Sequence, residues 1–247
     1  VPMEYRAMIL ERTALGEDGR EIIGLVEGKF NCFDGELIDV EISTVETIFN
    51  NQPSTMVVAR DISERKRAEE QIRYLGQHDI LTGLPNRALF ADRLSQAITF
   101  AGTHRNTFAL LFLDVDHFKK INDSLGHHYG DIFLKEITRR LLATVKSIDT
   151  VSRQGGDEFL ILLNELTHPE EAALVAQKIC AALAEPVLVE NSRMNSSVSI
   201  GIAVAQARHE NIDELLNDAD AALYRAKEGG RQRFVLFDDR EQRAAMD

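Results

Sequence analysis

The segment Ser152–Phe159 constrains this chain more than any other, because it joins two glycines, two carboxylates and the start of an apolar run. Gly155 and Gly156 lie between two strand-like stretches, and glycine accepts the positive φ that tight hairpin turns require. Asp157 and Glu158 follow directly, and adjacent carboxylates at a hairpin tip are costly unless a positive charge neutralises them. A divalent metal would do so. An ordinary solvated turn has the same composition, so the rest of the chain must decide.

The composition excludes several classes of protein. The chain has 247 residues, 44% of them hydrophobic, which is enough for one large domain or two modest ones. Its net charge of −12 argues against a nucleic acid or an anionic membrane as the main partner, but a nucleotide needs only a local cluster of cations or a metal. Two distant cysteines, no membrane-length apolar run and no signal peptide favour a cytoplasmic protein, or the cytoplasmic part of a larger sensor.

The first part of the chain predicts a short helix over residues 5–13 and then a small sheet. Its first residues, Val1-Pro2-Met3, look like the cut end of a longer chain. Alternating apolar and polar residues predict three antiparallel strands, over 22–33, 36–43 and 55–59, with turns at 31–35 and 50–53.

A highly charged helix is predicted over residues 63–77. Asp61 suits its N-cap, with Glu64 three residues later. The apolar positions form one narrow stripe, Ala68, Ile72 and Leu75. Such a stripe favours a two-stranded coiled coil over a globular core, and a solvated linker helix is the alternative.

Gly and Pro at 83–85 break this helix, and a second domain begins here. Amphipathic patterns predict helices over 88–100, 131–145, 169–183 and 212–227. Apolar runs predict strands over 107–115, 149–163 (a hairpin), 196–205 and 234–237. The alternation predicts an α/β sheet with helices packed on it.

Charged residues gather at the ends of these elements. Asp114 and Asp116 end an apolar strand, where alternate residues share a face and carboxylates are costly unless paired or metal-bound. Lys227 and Arg231 flank a second Gly-Gly pair near the C-terminus. Carboxylates, glycine turns and cations together favour a nucleoside triphosphate bound through a metal.

Three motifs resemble the signatures of the GGDEF family, at residues 79–87, 113–123 and 153–159, and the likeness extends over about 76–240. Its members are diguanylate cyclases, nucleotidyltransferases that condense two GTP into cyclic di-GMP and release two pyrophosphates. The resemblance implies an α/β (α+β) palm-type nucleotidyl cyclase fold, in which helices wrap a central, mostly antiparallel sheet.

The resemblance also assigns roles to matching positions. It implies that Mg²⁺ (or Mn²⁺) is held by Asp114, the backbone carbonyl of Val115 and Asp157. Glu158 resembles the next acidic position, near metal and ribose. Either Asp157 or Glu158 could take the proton of the 3′-hydroxyl, and the sequence does not separate these roles.

The residues that resemble the family's GTP contacts fall into four groups. These are the guanine readers Asn122 and Asp131, the main-chain N–H groups of His117, Phe118 and Lys119 around the β- and γ-phosphates, the triphosphate cations Lys227 and Arg231, and Gly155 and Gly156, which allow close approach. A carboxylate and an amide have the acceptors and donors that a guanine edge requires.

Several neighbouring residues are expected to serve structure instead. Asp116 is expected to cap the turn after its strand rather than bind metal. Adjacent His127 and His128 diverge, so they are predicted to be packing or loop residues. The other members of this group are Lys120 and Asp123, predicted to be solvated, and Phe118 and Tyr129, predicted to be core contacts.

Family cyclases often carry an inhibitory product site, an Arg-x-x-Asp ending five residues before the Gly-Gly. Here the matching residues are Lys146 and Asp149. Lysine cannot form the bidentate fork that arginine offers guanine N7 and O6, so we expect weak or absent product inhibition. Whether Arg153 contributes is not decided by the sequence.

The N-terminal part is similar to the C-terminal half of a PAS sensor domain, on residues 35–42 and 57–66. The resemblances predict a partial PAS domain over 1–62, a signalling helix over 63–77, the cyclase domain over 78–240 and a tail over 241–247. Family architecture suggests that the tail leads to a further domain, such as an EAL phosphodiesterase.

Three functions are weighed. The first is a signal-regulated diguanylate cyclase that works as a homodimer through its cyclase domain and linker helix. The alternatives are a regulator that binds GTP without turnover and tunes a linked phosphodiesterase, and a dimeric sensor or interaction module. The intact set of metal- and GTP-binding positions favours the cyclase.

Overall fold

The computed structural model describes residues 23–104, 107–189, 192–205 and 211–238. Two compact units divide the chain, one up to Tyr74 and one from Leu75 onward. No helix in the described ranges is long and apolar enough to cross a membrane. The helix predicted over 5–13 and the tail at 241–247 lie outside these ranges.

The first unit contains an antiparallel sheet of three strands in the order β1-β2-β3, as predicted. The strands are β1 (Ile23–Asn31), β2 (Leu37–Phe49) and β3 (Gln52–Asp61). Asn50 and Asn51 form the β2–β3 turn, with φ of 50° and 66°, which asparagine tolerates. The turn predicted at 50–53 is therefore too long. Pro53 belongs to β3, where an edge strand accommodates it.

Helix α1 spans Ser63–Gln77, as the sequence predicts. Its start is fixed by the Asp61 carboxylate, which accepts a hydrogen bond of 2.8 Å from the N–H of Ser63. In the apolar stripe, Ile72 is 70% exposed and Leu75 43% exposed. The stripe therefore adds little to a core.

The second unit is built on a five-stranded sheet in the order β10-β9-β4-β6-β5. Its strands are β4 (Thr107–Val115), β5 (Thr150–Gly155), β6 (Glu158–Leu166), β9 (Val198–Val204) and β10 (Phe234–Leu236), and a separate small hairpin joins β7 (Val187–Val189) to β8 (Ser192–Met194). Neighbouring strands are antiparallel except β9 and β10, which are parallel. This confirms the predicted fold class.

The described part of this unit contains the helices α2 (Arg87–His104), α3 (Phe118–Leu125), α4 (His127–Thr144), α5 (Glu170–Ala184) and α6 (Ile212–Glu228). Alternate residues of the central strand β4 face two hydrophobic clusters. Leu111 and Leu113 join one cluster with α4 and α5, whereas Leu110 joins the other with α2 and α6. Burial on both faces explains why β4 is a continuous apolar run.

The small β7–β8 hairpin has no counterpart among the predicted strands, and further differences from prediction lie around residue 126. The short helix α3 has no counterpart among the predicted helices, and α4 begins at His127 rather than Asp131. Gly126, with φ of 93°, separates the two helices. The polar first turn of α4 carries no apolar periodicity, so its start leaves no pattern in the sequence.

Helix α6 lies unusually close to the sheet at Gly201 in β9. A Cβ atom added to Gly201 would lie 2.0 Å from the carbonyl oxygen of Ala219 and 2.2 Å from the backbone nitrogen of Leu223. Both atoms belong to the backbone of α6, so no side-chain rotation could relieve the clash. A residue without a side chain is therefore needed at this position.

We expect Gly201→Ala to lower the free energy of unfolding by about 3 kcal/mol, the upper range for overpacking a core. Gly76→Ala is the matched control, because a Cβ on this helical glycine meets nothing within 4 Å. That control should raise stability by about 0.5–1 kcal/mol. Urea denaturation of both variants measures the difference, and equal effects would contradict the close approach of α6.

Candidate active site

Three carboxylates lie at one end of the two central strands. Asp114, near the end of β4, pairs in register with Glu158, the first residue of β6. Residues directly opposite in an antiparallel pair place their side chains on the same face. Asp157 occupies the preceding turn, and its carbonyl oxygen accepts a 3.2 Å hydrogen bond from the N–H of Val115. The structure thus brings together the four residues predicted to hold metal or move a proton.

The turn before these carboxylates depends on its two glycines. Gly155 has a φ of 145° and Gly156 a φ of 52°, both in the region that disfavours other residues. A Cβ at either position would meet nothing within 4 Å. Backbone conformation is therefore what requires glycine here, and both residues are exposed, with open space beside the main chain.

Lys227 neutralises part of this negative charge. It lies in the last turn of α6, and its Nζ is 2.8 Å from Oδ2 of Asp114. The side chains of Lys227 and Asp114 are 32% and 15% exposed, so the pair is partly shielded from water. A residue predicted to bind triphosphate thus contacts a residue predicted to bind metal.

Burial and the negative charge that Lys227 leaves unneutralised raise the pKa values of Asp157 and Glu158. Burial, and then the charge of Asp114, raise the pKa of Asp157 above its ordinary value. Burial, Asp114 and Asp157 likewise raise the pKa of Glu158. Lys227 opposes both shifts without cancelling them. A further positive charge at this end of the sheet would stabilise the ionised carboxylates.

The donor set fits a hard divalent cation bound together with a ligand. Carboxylate oxygens are what Mg²⁺ prefers, and it is usually held by one or two carboxylates plus phosphate oxygens. Within the described ranges, no three His, Cys, Asp or Glu side chains are arranged as a metal site by themselves. Phosphate oxygens of a ligand could supply the further contacts that such a cation requires.

Arg153 holds the hairpin from outside, a role that sequence reasoning missed. Its Nη1 lies 2.9 Å and 3.0 Å from the two carboxylate oxygens of Asp79. Its Nε and Nη2 donate to the carbonyl oxygen of Gly156 at 3.0 Å and 2.8 Å. One guanidinium thus ties the Gly-Gly turn to a segment 74 residues earlier, a pairing with no local sequence signal.

The carboxylate of Asp79 accepts hydrogen bonds from Thr82 and Arg153. Burial alone would raise the pKa of Asp79, but hydrogen bonds from Thr82 and Arg153 outweigh it and lower the pKa. The N–H of Thr82 donates to Asp79 at 2.9 Å, a local turn that the Asp-x-x-Thr spacing could have revealed.

Asn122 presents an unsatisfied polar atom. Its Oδ1 is buried and has no hydrogen-bond partner in the described structure. A Cβ added to Gly130 would lie 2.0 Å from this oxygen, so the bare glycine backbone makes room for the amide. Asp131, the other predicted guanine reader, follows Gly130 on α4 and is exposed. Buried polar atoms are usually hydrogen-bonded, so this oxygen could accept a hydrogen bond from a ligand.

The predicted phosphate loop forms the start of α3. His117 has a φ of 61° and turns the chain into the helix. Phe118 packs its ring on Phe133, with centroids 6.1 Å apart, and Lys119 is exposed. The N–H of Lys120 donates to the carbonyl oxygen of His117 at 2.8 Å, and the N–H groups of Phe118 and Lys119 come before it at the start of the helix, where an anion can bind.

The residues expected to serve structure can now be placed. Asp116 is buried and has a structural role, as expected, but the donors to its carboxylate are Ser197, Ser199 and Gln232 rather than the turn that follows its strand. Phe118 and Tyr129 pack on the core, and Lys120 and Asp123 are exposed, again as predicted. His127 and His128 were predicted to be packing or loop residues, but they are the exposed first residues of α4.

Comparison with known proteins gives the family. The model described as "Diguanylate cyclase, GGDEF domain" matches residues 76–233. The chain belongs to the GGDEF family. It is 41% identical over 184 residues to MucR of Pseudomonas aeruginosa, which is named a bifunctional diguanylate cyclase/cyclic di-GMP phosphodiesterase. The matched stretch covers 74% of this chain and 26% of MucR. The diguanylate cyclase TpbB of the same species is 44% identical over 155 residues, 62% of this chain and 36% of TpbB.

Not every GGDEF relative is named as a cyclase. PdeR of Escherichia coli, named a cyclic di-GMP phosphodiesterase, is 36% identical over 177 residues, 72% of this chain and 26% of PdeR. The chain thus spans only 26% to 36% of the length of these three relatives.

Solved GGDEF domains share the fold. The GGDEF domain of TpbB (YfiN) has a TM-score of 0.65 at 41% identity, covering 69% of this chain and 99% of that chain. The coiled coil and GGDEF domain of DgcB from Caulobacter crescentus, solved with c-di-GMP, also has a TM-score of 0.65, at 30% identity, covering 70% and 92%.

The predicted product site of this GGDEF domain lies at the other end of β5 from the Gly-Gly turn. Both oxygens of Asp149 are already engaged, accepting 2.8 Å and 2.9 Å hydrogen bonds from the N–H groups of Lys146 and Asn164. The Lys146 side chain is exposed. Asp149 therefore anchors its own turn, whatever else it binds.

The raised pKa values predict how stability changes with pH. Ionised Asp157 opposes folding, because its folded pKa lies above the ordinary 3.8. This cost is relieved as pH falls through the raised pKa toward 3.8. Without metal, we expect Asp157→Asn to unfold at a higher temperature than the parent at pH 7, with the difference narrowing in acid. Thermal melts across this pH range measure it, and a constant difference would contradict the charge crowding.

Proposed function

We propose that this chain is an active diguanylate cyclase that condenses two GTP into cyclic di-GMP. The observation that carries the proposal is the register of β4 and β6, which sets Asp114 against Glu158, with Asp157 in the adjoining turn. A binding module has no need for three carboxylates whose crowding raises the pKa of two of them. A metal-assisted phosphoryl-transfer site does.

We propose that Mg²⁺, or Mn²⁺, is held by Asp114, Asp157 and the carbonyl of Val115, with Glu158 beside it. When bound, the metal neutralises phosphate charge and favours ionisation of the 3′-hydroxyl. Lys227 now contacts Asp114 at 2.8 Å, so binding would exchange this ion pair for contacts to metal and phosphate. Lys227 and Arg231 are proposed to grip the triphosphate.

Guanine is proposed to bind between Asn122 and Asp131. The buried, unpartnered Oδ1 of Asn122 supports this, because a donor on the base edge would satisfy it. Asp131 would accept from guanine N1–H and the exocyclic amine. The N–H groups of His117, Phe118 and Lys119 would face the β- and γ-phosphates, as the open start of α3 suggests.

In the proposed reaction, the 3′-oxygen of one GTP attacks the α-phosphorus of a second GTP on a facing protomer. A P–O bond forms, the bond to the β-phosphate breaks, and pyrophosphate leaves with the electron pair. Asp157 or Glu158 takes the hydroxyl proton, and a raised pKa suits either acid to this task. The second half-site repeats the step, so one cyclic di-GMP and two pyrophosphates result.

Since each half-site supplies one nucleophile and one phosphate, activity requires a homodimer. The exposed residues Ile72 and Leu75 on α1 support a coiled-coil contact between copies. We propose a partial PAS domain over 1–62, a signalling helix over 63–77, a cyclase domain over 78–240 and a tail over 241–247. The three-stranded sheet followed directly by α1 is consistent with the first two.

A regulatory GGDEF domain that binds GTP without turnover is the alternative, because PdeR, which matches 72% of this chain, is named a cyclic di-GMP phosphodiesterase. By analogy with the bifunctional MucR, we propose that an EAL phosphodiesterase domain follows in the full-length protein.

The deciding assay incubates the chain with GTP and Mg²⁺ and quantifies cyclic di-GMP and pyrophosphate. We expect both products in a 1:2 ratio from the parent chain, and a loss of at least about 100-fold in rate for Asp157→Asn, typical of removing a metal ligand or catalytic group. Asp123→Asn is the matched control, since Asp123 is exposed on α3. GTP binding without product in the parent would favour the regulatory alternative.

Product inhibition provides a separate prediction. We expect cyclic di-GMP to inhibit the parent weakly, because Lys146 lacks the bidentate fork and the oxygens of Asp149 are engaged. Lys146→Arg should strengthen inhibition by about tenfold, the effect of one good bidentate contact to guanine. Inhibition constants for both chains measure this. Tight binding in the parent that is lost on Lys146→Ala would contradict it.

A further inference from the structure

The loop between α6 and β10 holds two consecutive residues in an unfavourable backbone conformation. Arg231 has a φ of 64° and Gln232 a φ of 52°. Positive φ is uncommon in residues other than glycine, and such conformations persist only where the surroundings impose them. Arg231 is also one of the two proposed triphosphate cations. Some group must therefore hold this loop in place.

Asp116 is that group. Its Oδ2 accepts hydrogen bonds from the N–H of Gln232 at 3.2 Å and from the hydroxyl of Ser197 at 2.6 Å. Its Oδ1 accepts from the hydroxyl of Ser199 at 2.8 Å and lies 4.0 Å from Nε of Arg231. Asp116 is 3% exposed, so its carboxylate is stabilised by these protein donors rather than by water.

The other end of the loop is fixed to α6. The N–H of Arg231 donates to the carbonyl oxygen of Ala226 at 3.1 Å. The backbone of Arg231 is thus held on both sides, by its own bond to Ala226 and by the bond that the next N–H, that of Gln232, donates to Asp116. Its side chain remains 47% exposed and can reach a ligand.

From this geometry we infer that Asp116 is a positioning residue, which aims Arg231 at the triphosphate without touching substrate or metal itself. The inference rests on the proposed binding of GTP. Asp114 and Asp116 then have separate tasks, although only two positions separate them at the end of β4. Asp114 faces the exchangeable Lys227, whereas Asp116 orders the loop that carries the second cation.

The test measures binding of 3′-deoxy-GTP, which lacks the nucleophilic hydroxyl, to the 247-residue chain with Mg²⁺ by calorimetry. We expect Asp116→Asn to weaken this binding about tenfold, the effect of disturbing hydrogen bonds to a charged group. Binding of GMP, which has no β- or γ-phosphate, should be unchanged. In an Arg231→Ala background, Asp116→Asn should have no further effect, because the residue it positions is gone.

A second variant keeps the test valid if Asp116→Asn does not fold. Gln232 is exposed, and Gln232→Pro removes its N–H donor and forbids its positive φ. This variant should therefore reproduce the selective loss of affinity for 3′-deoxy-GTP. The inference would be overturned if Asp116→Asn weakened the binding of GMP as much as that of 3′-deoxy-GTP. It would also be overturned if Asp116→Asn weakened 3′-deoxy-GTP binding as much in the Arg231→Ala background as in the parent. If the parent chain binds 3′-deoxy-GTP, and Asp116→Asn and Gln232→Pro bind it as tightly as the parent does, the inference fails and the proposed function stands. If the parent does not bind it, both fail.

Discussion

The crowding of like charge at one end of β4 and β6 is the constraint on which the rest of the domain depends. The register that pairs Asp114 with Glu158, and the turn that places Asp157 beside them, are unfavourable for an isolated chain. Lys227 offsets part of this charge. It is carried by α6, whose backbone packs closely against the sheet at Gly201, so a tight contact in the core helps to place a cation at the acidic end of the sheet.

The hairpin turn is likewise held by a contact between residues far apart in the chain. Arg153 contacts both oxygens of Asp79 and the carbonyl oxygen of Gly156, so the position of Asp157 depends on the segment that follows α1. That segment is itself closed by Asn86, which bonds to the backbone of Gly76 and Gln77 at the end of the helix. Hydrogen bonds from the segment 79–86 therefore reach both the charged turn, through Arg153, and the end of α1, through Asn86.

The sequence predicts most of the sheet because each strand carries its own pattern. The apolar run of β4 and the Gly-Gly hairpin are local features, and the extent of α1 follows from its cap and its charged composition. The sequence does not predict α3, which at eight residues is too short for a periodic pattern to stand out. Nor does it predict the pairing of Arg153 with Asp79, because the two residues are separated by 74 positions and nothing near either one encodes the other.

Asp114 and Asp116 show most clearly what the sequence leaves undecided. Two residues apart at a strand end, they are expected to share one face and are chemically identical. The strand ends at Val115, however, so Asp116 leaves the alternation and turns toward Ser197 and Ser199. Its side chain is 1% exposed, whereas that of Asp114 is 15% exposed and pairs with the amine of Lys227. A carboxylate surrounded by fixed donors can only hold structure, while one paired with a long, partly exposed side chain can change partners. Burial, which depends on residues far along the chain, therefore distinguishes Asp116, which positions a loop, from Asp114, which can exchange its partner for a ligand.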